Sequence, residues 1–183
     1  MTMKKLVFAT LMCVATMSAK AQVLTSTTVK NVYEEVSHKA KSKFAYNADF
    51  TGDDITTMYV YNMRVDRNDM LTLTPYLKYD YAYANDGTLT NKVTYRWDDG
   101  KNDWACAARY DYNLDSDKYS IEYSRYNQKD NCFDKPVDKM VYSLLPYDSV
   151  NYVSYYHREA PSMELQLISE TQVTCLPLLF AEK

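Results

Sequence analysis

The sequence has few of the residues from which catalytic and metal sites are most often built. Its 183 residues include two histidines, four cysteines and three glycines. It has no CxxC pair and no histidine cluster that could bind zinc. It also has no GxSxG motif, no glycine-rich phosphate loop and no dinucleotide-binding fingerprint. We therefore expect no cofactor and no metal, and the common enzyme classes find no support.

The remaining catalytic candidates have simpler explanations. His157 lies on a predicted strand and could act as a general base, but nothing places a serine or cysteine nucleophile beside it. A pair of the 24 carboxylates could hydrolyse a glycoside, yet most aspartates stand in predicted turns. The run Asp98–Asp103 is rich in oxygen ligands but lacks the order of an EF-hand loop, which favours a hairpin turn. No catalytic residue is predicted.

Long apolar runs are also missing, apart from a short one near the N-terminus. Two lysines precede the apolar run Leu6–Met17, and Ala19 and Ala21 supply the small residues that signal peptidase requires. The run has about 12 residues, whereas a transmembrane helix needs about 20. We predict a signal peptide at residues 1–21 and no transmembrane anchor; the alternative is an uncleaved interfacial helix. The mature protein is expected in the periplasm or outside the cell.

Positive charge is scarce as well. The net charge of the whole chain is −3, and removal of the leader, with three lysines and no acids, takes it to −6. Without a basic run, the chain is a poor binder of nucleic acid or anionic lipid. The sequence does not identify the partner; a glycan or an envelope protein is the class that remains.

Cysteine usage allows at most one internal disulfide. Cleavage after Ala21 would remove Cys13 and leave Cys106, Cys132 and Cys175. An odd number leaves at least one thiol unpaired. The candidate bridge joins Cys106 to Cys132, and its loop closure would contribute about 3–4 kcal/mol. The alternative is three free thiols buried as small hydrophobic residues.

Tyrosine is abundant, with 19 residues beside two tryptophans and five phenylalanines. Its ring suits a pleated, half-buried surface. Tyr79, Tyr81 and Tyr83 alternate with smaller or polar residues, which is the period-two pattern of a strand. Asp86-Gly87 and Asp99-Gly100 separate such segments and predict hairpin turns, of type I′ at the first. The sequence thus predicts an all-β fold, an antiparallel meander of hairpins.

A shift of 29 residues brings parts of this region into register with each other. Trp97 falls on Tyr126, and Trp104 falls on Phe133. A fixed period indicates units that bury their apolar faces against their neighbours. The alternative is coincidence in a tyrosine-rich chain.

One segment departs from the strand pattern. Between Val29 and Phe44, apolar residues recur at helical spacing among many charges. This predicts either a short amphipathic helix or an extended lead-in. We therefore divide the mature chain into a lead-in at residues 22–54 and a single β-repeat domain at residues 55–183.

Several of these residues carry a family resemblance. The segment Tyr83–Thr90, followed by Tyr95–Trp97 and then Trp104, resembles small secreted proteins of gut Bacteroidota that form a domain family of unknown function. The likeness covers about residues 55–160. Tyr83–Thr90 alone is also similar to one unit of the YD repeats of large bacterial surface proteins. The resemblance implies export and a β fold, and it carries over no catalytic residue.

The aromatic residues are the feature with functional potential. Rings that project from an exposed sheet face could stack on sugars or form a hydrophobic patch for a protein. The other interpretation is that the recurring rings form the core, and we favour it for Tyr95 and Trp97. The candidate binding residues are Trp97, Trp104, Tyr126, Tyr155 and Tyr156. The leading hypothesis is a non-catalytic binding module for glycan or protein surfaces; the alternatives are a polymer hydrolase with an Asp/Glu pair and a structural component of an envelope assembly.

Overall fold

The computed structural model describes residues 23–39, 42–65, 67, 70–143 and 150–174. The predicted signal peptide and Cys175 lie outside these ranges. The described part consists of one helix, α1, at Ser26–Ser37, and ten strands. The strands are β1 Phe44–Thr51, β2 Asp54–Val65, β3 Leu71–Tyr83, β4 Leu89–Asp98, β5 Asp103–Asp115, β6 Lys118–Asn127, β7 Cys132–Phe133, β8 Asp138–Ser143, β9 Val150–His157 and β10 Gln166–Thr174.

The strands form a single antiparallel sheet in which, apart from β7, strands that follow each other in the sequence pair with each other. Its order is β1-β2-β3-β4-β5-β6-β8-β9-β10, and the two-residue strand β7 pairs with the end of β6. The prediction of an all-β antiparallel meander is confirmed. Within the described ranges, no helix is long and apolar enough to cross a membrane.

The short helix begins earlier than its apolar spacing indicated. Thr25 caps α1, because its hydroxyl accepts the backbone N–H of Thr28 at 3.3 Å. Of the helix residues, Val29 is buried. The helix ends at Ser37, and the chain enters the sheet at Phe44. The predicted lead-in at residues 22–54 therefore contains both α1 and β1, and β1 is one of the strands of the sheet.

Alternation along the strands gives the sheet two faces of different composition. The face on which α1 packs, called here the helix face, carries the hydrophobic core. Three of its tyrosines, from β5, β6 and β8, have neighbouring rings. The centre of the Tyr119 ring lies 6.5 Å from that of Tyr112 and 6.1 Å from that of Tyr142. The buried residues of this core are Val29, Ile55, Met58, Leu89, Tyr112, Tyr119 and Tyr142. The core is thus built largely from tyrosine rings.

The opposite face, called here the open face, carries polar pairs that run across the strands. Lys139 on β8 pairs with Glu122 on β6 at 2.7 Å. Asp111 on β5 accepts a hydrogen bond from Asn91 on β4 at 2.7 Å and pairs with Arg109 at 2.8 Å. Such cross-strand pairs satisfy the charges of a solvated sheet face.

The Asp86-Gly87 turn lies where the sequence placed it, but its type differs from the prediction. The Ala84 carbonyl accepts the Gly87 N–H at 3.0 Å, and the Ala84 N–H donates to Thr88 at 2.8 Å. Gly87 has a φ of 80°, whereas Asp86 has no positive φ. This is a three-residue loop with a left-handed glycine, not a two-residue type I′ turn. The Asp86 carboxylate accepts the Thr88 N–H at 2.9 Å, which favours this geometry.

The two cysteines of the candidate disulfide are free thiols in the structure. Cys106 on β5 pairs with Tyr95 of β4, and Cys132 on β7 pairs with Asn127 of β6. Strand β6 thus lies between the two cysteines, which puts their backbones about 9–10 Å apart. A disulfide needs Cα atoms within about 7 Å. A bridge would therefore require the backbone to move.

Candidate functional site

Three of the five candidate binding residues lie together at one end of the sheet. Trp97 ends β4 and Trp104 begins β5, on either side of the β4–β5 turn, while Tyr126 lies near the end of β6. All three are half-buried. None belongs to the buried core, which corrects the expectation that Trp97 is a core ring.

The two tryptophans form a directly paired, edge-to-face couple. Trp97 is opposite Trp104 in the register of β4 and β5. Their ring centres are 5.1 Å apart with an interplanar angle of 74°. The Trp104 ring also lies 6.3 Å from that of Tyr59, on β2. Edge-to-face contact is a preferred arrangement of aromatic pairs, so the contact stabilises the relative orientation of the two indole rings.

The turn that joins the tryptophans is closed by an aspartate side chain. Asp98 Oδ1 accepts the backbone N–H of Gly100 at 3.0 Å and that of Lys101 at 3.3 Å. Asn102 completes the turn with a φ of 52°. Asp98 Oδ2 also lies 3.7 Å from the Lys101 ammonium. These bonds bear out the hairpin-turn interpretation of Asp98–Asp103. Across the described ranges, no three His, Cys, Asp or Glu side chains are grouped to hold a metal ion.

A second aromatic pair lies one hairpin further along the chain. Tyr126 on β6 is opposite Phe133 on β7. Their ring centres are 5.2 Å apart with an interplanar angle of 72°. The Tyr126 hydroxyl donates to Asn131 at 2.6 Å, which fixes the phenol ring. The Arg109 guanidinium lies 4.7 Å from the centre of the Phe133 ring, a cation–π contact.

Both aromatic pairs project from the open face. Directly paired residues of antiparallel strands share a face, and so do residues two apart on one strand. Arg109 pairs with Val93, which is four residues before Trp97 on β4. Arg109 and the Phe133 ring that it covers therefore lie on the same side of the sheet as Trp97. We call the four residues Trp97, Trp104, Tyr126 and Phe133 the aromatic row.

A depression of about 540 Å³ lies between the two pairs. Trp97 of β4 and Tyr126 of β6 line it on either side of the small β5 residues Ala105, Cys106 and Ala107. Its polar lining consists of Arg96, Asp98, Asp99 and Gln128. A second depression of about 330 Å³ shares Trp97 and Asp99 with residues of β2 and β3. Trp97 is therefore accessible from two sides.

The other two candidates, Tyr155 and Tyr156, lie on β9 and are not part of this row. The Tyr155 hydroxyl donates to Asp138 Oδ1 at 2.6 Å, and the same oxygen lies 2.7 Å from His157 Nδ1. Burial and this hydrogen bond raise the pKa of Tyr155. Tyr156 is half-buried and pairs with Lys139 on one side. Two strands, β6 and β8, thus separate these tyrosines from Trp104, and three separate them from Trp97.

Sequence reasoning missed three residues of this arrangement. Tyr59 contacts Trp104 from β2, Arg109 covers Phe133, and Asp138 holds His157. Each depends on the register between strands that are distant in sequence. The period-two pattern places a residue on a face but does not say which residue stands opposite, so nothing in the sequence could have identified these contacts.

Comparison with known proteins places the chain in a family. A model described as a family of unknown function, DUF3836, matches residues 1–144. The chain is similar to a solved protein of unknown function from Bacteroides fragilis NCTC 9343, with 23% identity and a TM-score of 0.62 over 75% of this chain and 94% of that chain. At this identity the likeness supports the fold.

Two further solved structures are described as DUF3836 family proteins. One is from Bacteroides vulgatus ATCC 8482, with 22% identity and a TM-score of 0.46 over 50% of this chain and 89% of that chain. The other is from Parabacteroides distasonis ATCC 8503, with 20% identity and a TM-score of 0.47 over 55% and 89%. No curated protein matches. Because the family model spans well over half of the sequence, the chain belongs to DUF3836, a family of unknown function.

Proposed function

We propose that this protein is an exported, non-catalytic binding module that holds a glycan against the aromatic row. The predicted signal peptide supports export to the periplasm or the cell exterior. The observation that carries the proposal is the pairing of Trp97 with Trp104 on the face opposite α1, where both rings are half-exposed beside a depression. No chemistry is required of the protein in this role, only a surface that a sugar can cover.

The composition of the depression suits a sugar. One side of a pyranose ring presents C–H groups that pack on aromatic rings, and its edge presents hydroxyls that donate and accept hydrogen bonds. Trp97 and Tyr126 supply the rings, while Asp99 and Gln128 supply oxygen acceptors along the lining. The depression therefore offers both the ring surfaces and the polar groups that contact with a sugar requires.

Binding to a glycan array tests the proposal. The mature protein, residues 22–183, is expected to bind at least one class of glycan, and Trp97→Ala is expected to weaken that binding by tenfold or more, about 1.4 kcal/mol. Tyr152→Ala is the matched control, since Tyr152 is an exposed aromatic residue (38%) on β9 outside the row. This control variant should bind as the wild type does.

Other outcomes assign other functions. Capture of an envelope protein that Trp97→Ala abolishes, with no glycan bound, would contradict the glycan proposal and favour a protein partner. Release of reducing ends from a bound polymer would assign a hydrolase. Equal binding by the Trp97 and Tyr152 variants would place the site elsewhere on the molecule.

A further inference from the structure

The turn between β4 and β5 and the turn between β6 and β7 have the same local geometry. In the first, Asp98 Oδ1 accepts two backbone N–H groups, at 3.0 and 3.3 Å, and in the second, Asn127 Oδ1 accepts two, at 3.0 and 3.4 Å. Asn102 and Asn131 complete the two turns with the same φ of 52°. Corresponding residues are 29 positions apart in the chain.

The aromatic pairs that flank these turns are also alike. Trp97 and Trp104 have ring centres 5.1 Å apart at 74°, and Tyr126 and Phe133 have centres 5.2 Å apart at 72°. A turn closed by a side-chain oxygen sets the distance between the residues on either side of it. Because the two turns are alike, the two ring pairs have similar distances and angles. Agreement in the turn, the left-handed asparagine and the ring contact together is hard to attribute to tyrosine-rich composition.

The two pairs lie on one face of the sheet at different levels along the strands, since Trp97 is opposite Trp104 whereas Arg125, the residue before Tyr126, is opposite Ala108. They are displaced from β4 and β5 to β6 and β7, which is two strand spacings, or about 9–10 Å. The strand between Trp97 and Tyr126 contributes only small residues to the intervening depression, Ala105, Cys106 and Ala107. No large side chain of β5 is among its lining, so one ligand can reach from Trp97 of the first pair to Tyr126 of the second.

We propose that the two aromatic pairs are two subsites for a single extended, unbranched glycan chain, a proposal that rests on the glycan-binding function given above. The occupant is a chain of pyranose rings joined through equatorial bonds, because such a chain is flat and presents successive ring faces to one side. A branch at the sugar between the subsites would have to pass over Trp97 or Tyr126. The protein therefore selects linear oligosaccharides over monosaccharides.

The subsites differ in their chemistry. The first consists of two indole rings, and the second of a phenol and a phenyl ring, with the Arg109 guanidinium over Phe133. Indole offers the larger stacking surface, so the first subsite contributes more of the affinity. The second subsite adds to the binding of chains that are long enough to reach it, as linked sites do when their spacing matches the ligand.

A chain-length series measured by calorimetry tests the proposal. The probes are cello-, manno-, xylo- and chito-oligosaccharides of two to six sugars. With the series that binds, wild-type affinity is expected to rise at least tenfold from the disaccharide to the hexasaccharide. Phe133→Ala is expected to reduce that rise to threefold or less, Trp97→Ala to weaken binding at every length, and Tyr152→Ala to match the wild type.

The outcomes separate this proposal from the one on which it rests. No binding of any series by the wild type would overturn the glycan-binding function itself. Binding that Trp97→Ala weakens, but whose affinity does not change with chain length or with Phe133→Ala, would overturn the second subsite alone. Should Phe133→Ala fail to fold, as judged by circular dichroism, Phe133→Leu removes the ring while it keeps an apolar side chain, and the same reduction is expected.

Discussion

Lys92 lies among tyrosine rings rather than beside a carboxylate. Its ammonium is 4.2 Å from the centre of the Tyr110 ring and 5.5 Å from that of Tyr79, and the residue is 7% exposed. The rings interact favourably with the cation but do not replace its hydration. Burial therefore lowers the pKa of Lys92 from 10.5 to about 8.

This environment predicts a stability that rises with pH before it falls. Between pH 8 and 10.5 the unfolded chain binds a proton at Lys92 that the folded protein has lost, so the free energy of unfolding increases with pH, by up to about 3 kcal/mol. Burial also raises the pKa of Tyr79 and Tyr110 to about 12. Above pH 10 the unfolded tyrosines ionise first, and stability decreases.

Urea unfolding at pH 7 to 11 checks this prediction, with Lys92→Met as the control. The difference in unfolding free energy between the wild type and Lys92→Met is expected to change in favour of the wild type between pH 8 and 10.5. Because both proteins share the tyrosines, the contribution of the tyrosines cancels in the difference. A difference that stays constant over this range would show that Lys92 titrates normally in the folded state.

At the scale of elements, the β3–β4 turn depends on its glycine. Gly87 has a φ of 80°, and a Cβ atom there would lie 3.3 Å from the Ser26 hydroxyl at the start of α1. The Ser26 N–H also donates to the Gly87 carbonyl at 2.9 Å. The turn therefore both reverses the chain and positions the helix on the sheet.

Gly87→Ala is expected to destabilise the protein by about 1–2 kcal/mol, because alanine in the left-handed region costs about that much and its methyl group crowds Ser26. Gly52→Ala is the matched control, with a φ of 60° but no atom near its Cβ, and should cost about 1 kcal/mol. Thermal or urea unfolding measures both. If Gly87→Ala were the milder of the two, the contact with the helix would not be tight.

The strands were largely predictable, because a strand that packs one face on the core needs apolar residues on that face and tolerates polar ones on the other. Tyr79, Tyr81 and Tyr83 alternate because one face of β3 is core and the other is not, and this reads directly as a strand. The type of turn at Asp86-Gly87 was not predictable, because it depends on a bond from the Asp86 side chain to Thr88. The predicted shift of 29 residues matched Trp97 to Tyr126 and Trp104 to Phe133, whereas the separation of Tyr155 from these residues depends on strand order, which the shift does not give.

At the scale of the whole molecule, the sheet formed by the described residues ends at β1 on one side and at β10 on the other, and these two edge strands differ in what covers them. Strand β1 lies beside α1, and Phe50 contacts the ring of Tyr33 from the helix at 6.1 Å. Among the described strands, β10 pairs with β9 alone, and Leu167 and Ile168 are 53% and 56% exposed. A strand with one neighbour and few buried side chains opens at low free-energy cost.

Hydrogen exchange measured by mass spectrometry should therefore show a gradient across the sheet. Amides of β10 are expected to exchange fastest among the strands, those of β1 more slowly, and those of β4 and β5 slowest. The central strands share ladders on both sides and flank the tyrosine core. Equal protection in β10 and β5 would mean that the sheet opens only as a whole.

The placement of Trp97 beside Trp104 has an optical consequence. The chain has two tryptophans in total, and both lie at the β4–β5 turn with their ring centres 5.1 Å apart. Tryptophan fluorescence therefore comes from one location, and a ligand that binds there is expected to change the intensity and wavelength of the emission. The unlabelled protein thus carries its own fluorescent reporter, confined to the surface where we expect the ligand.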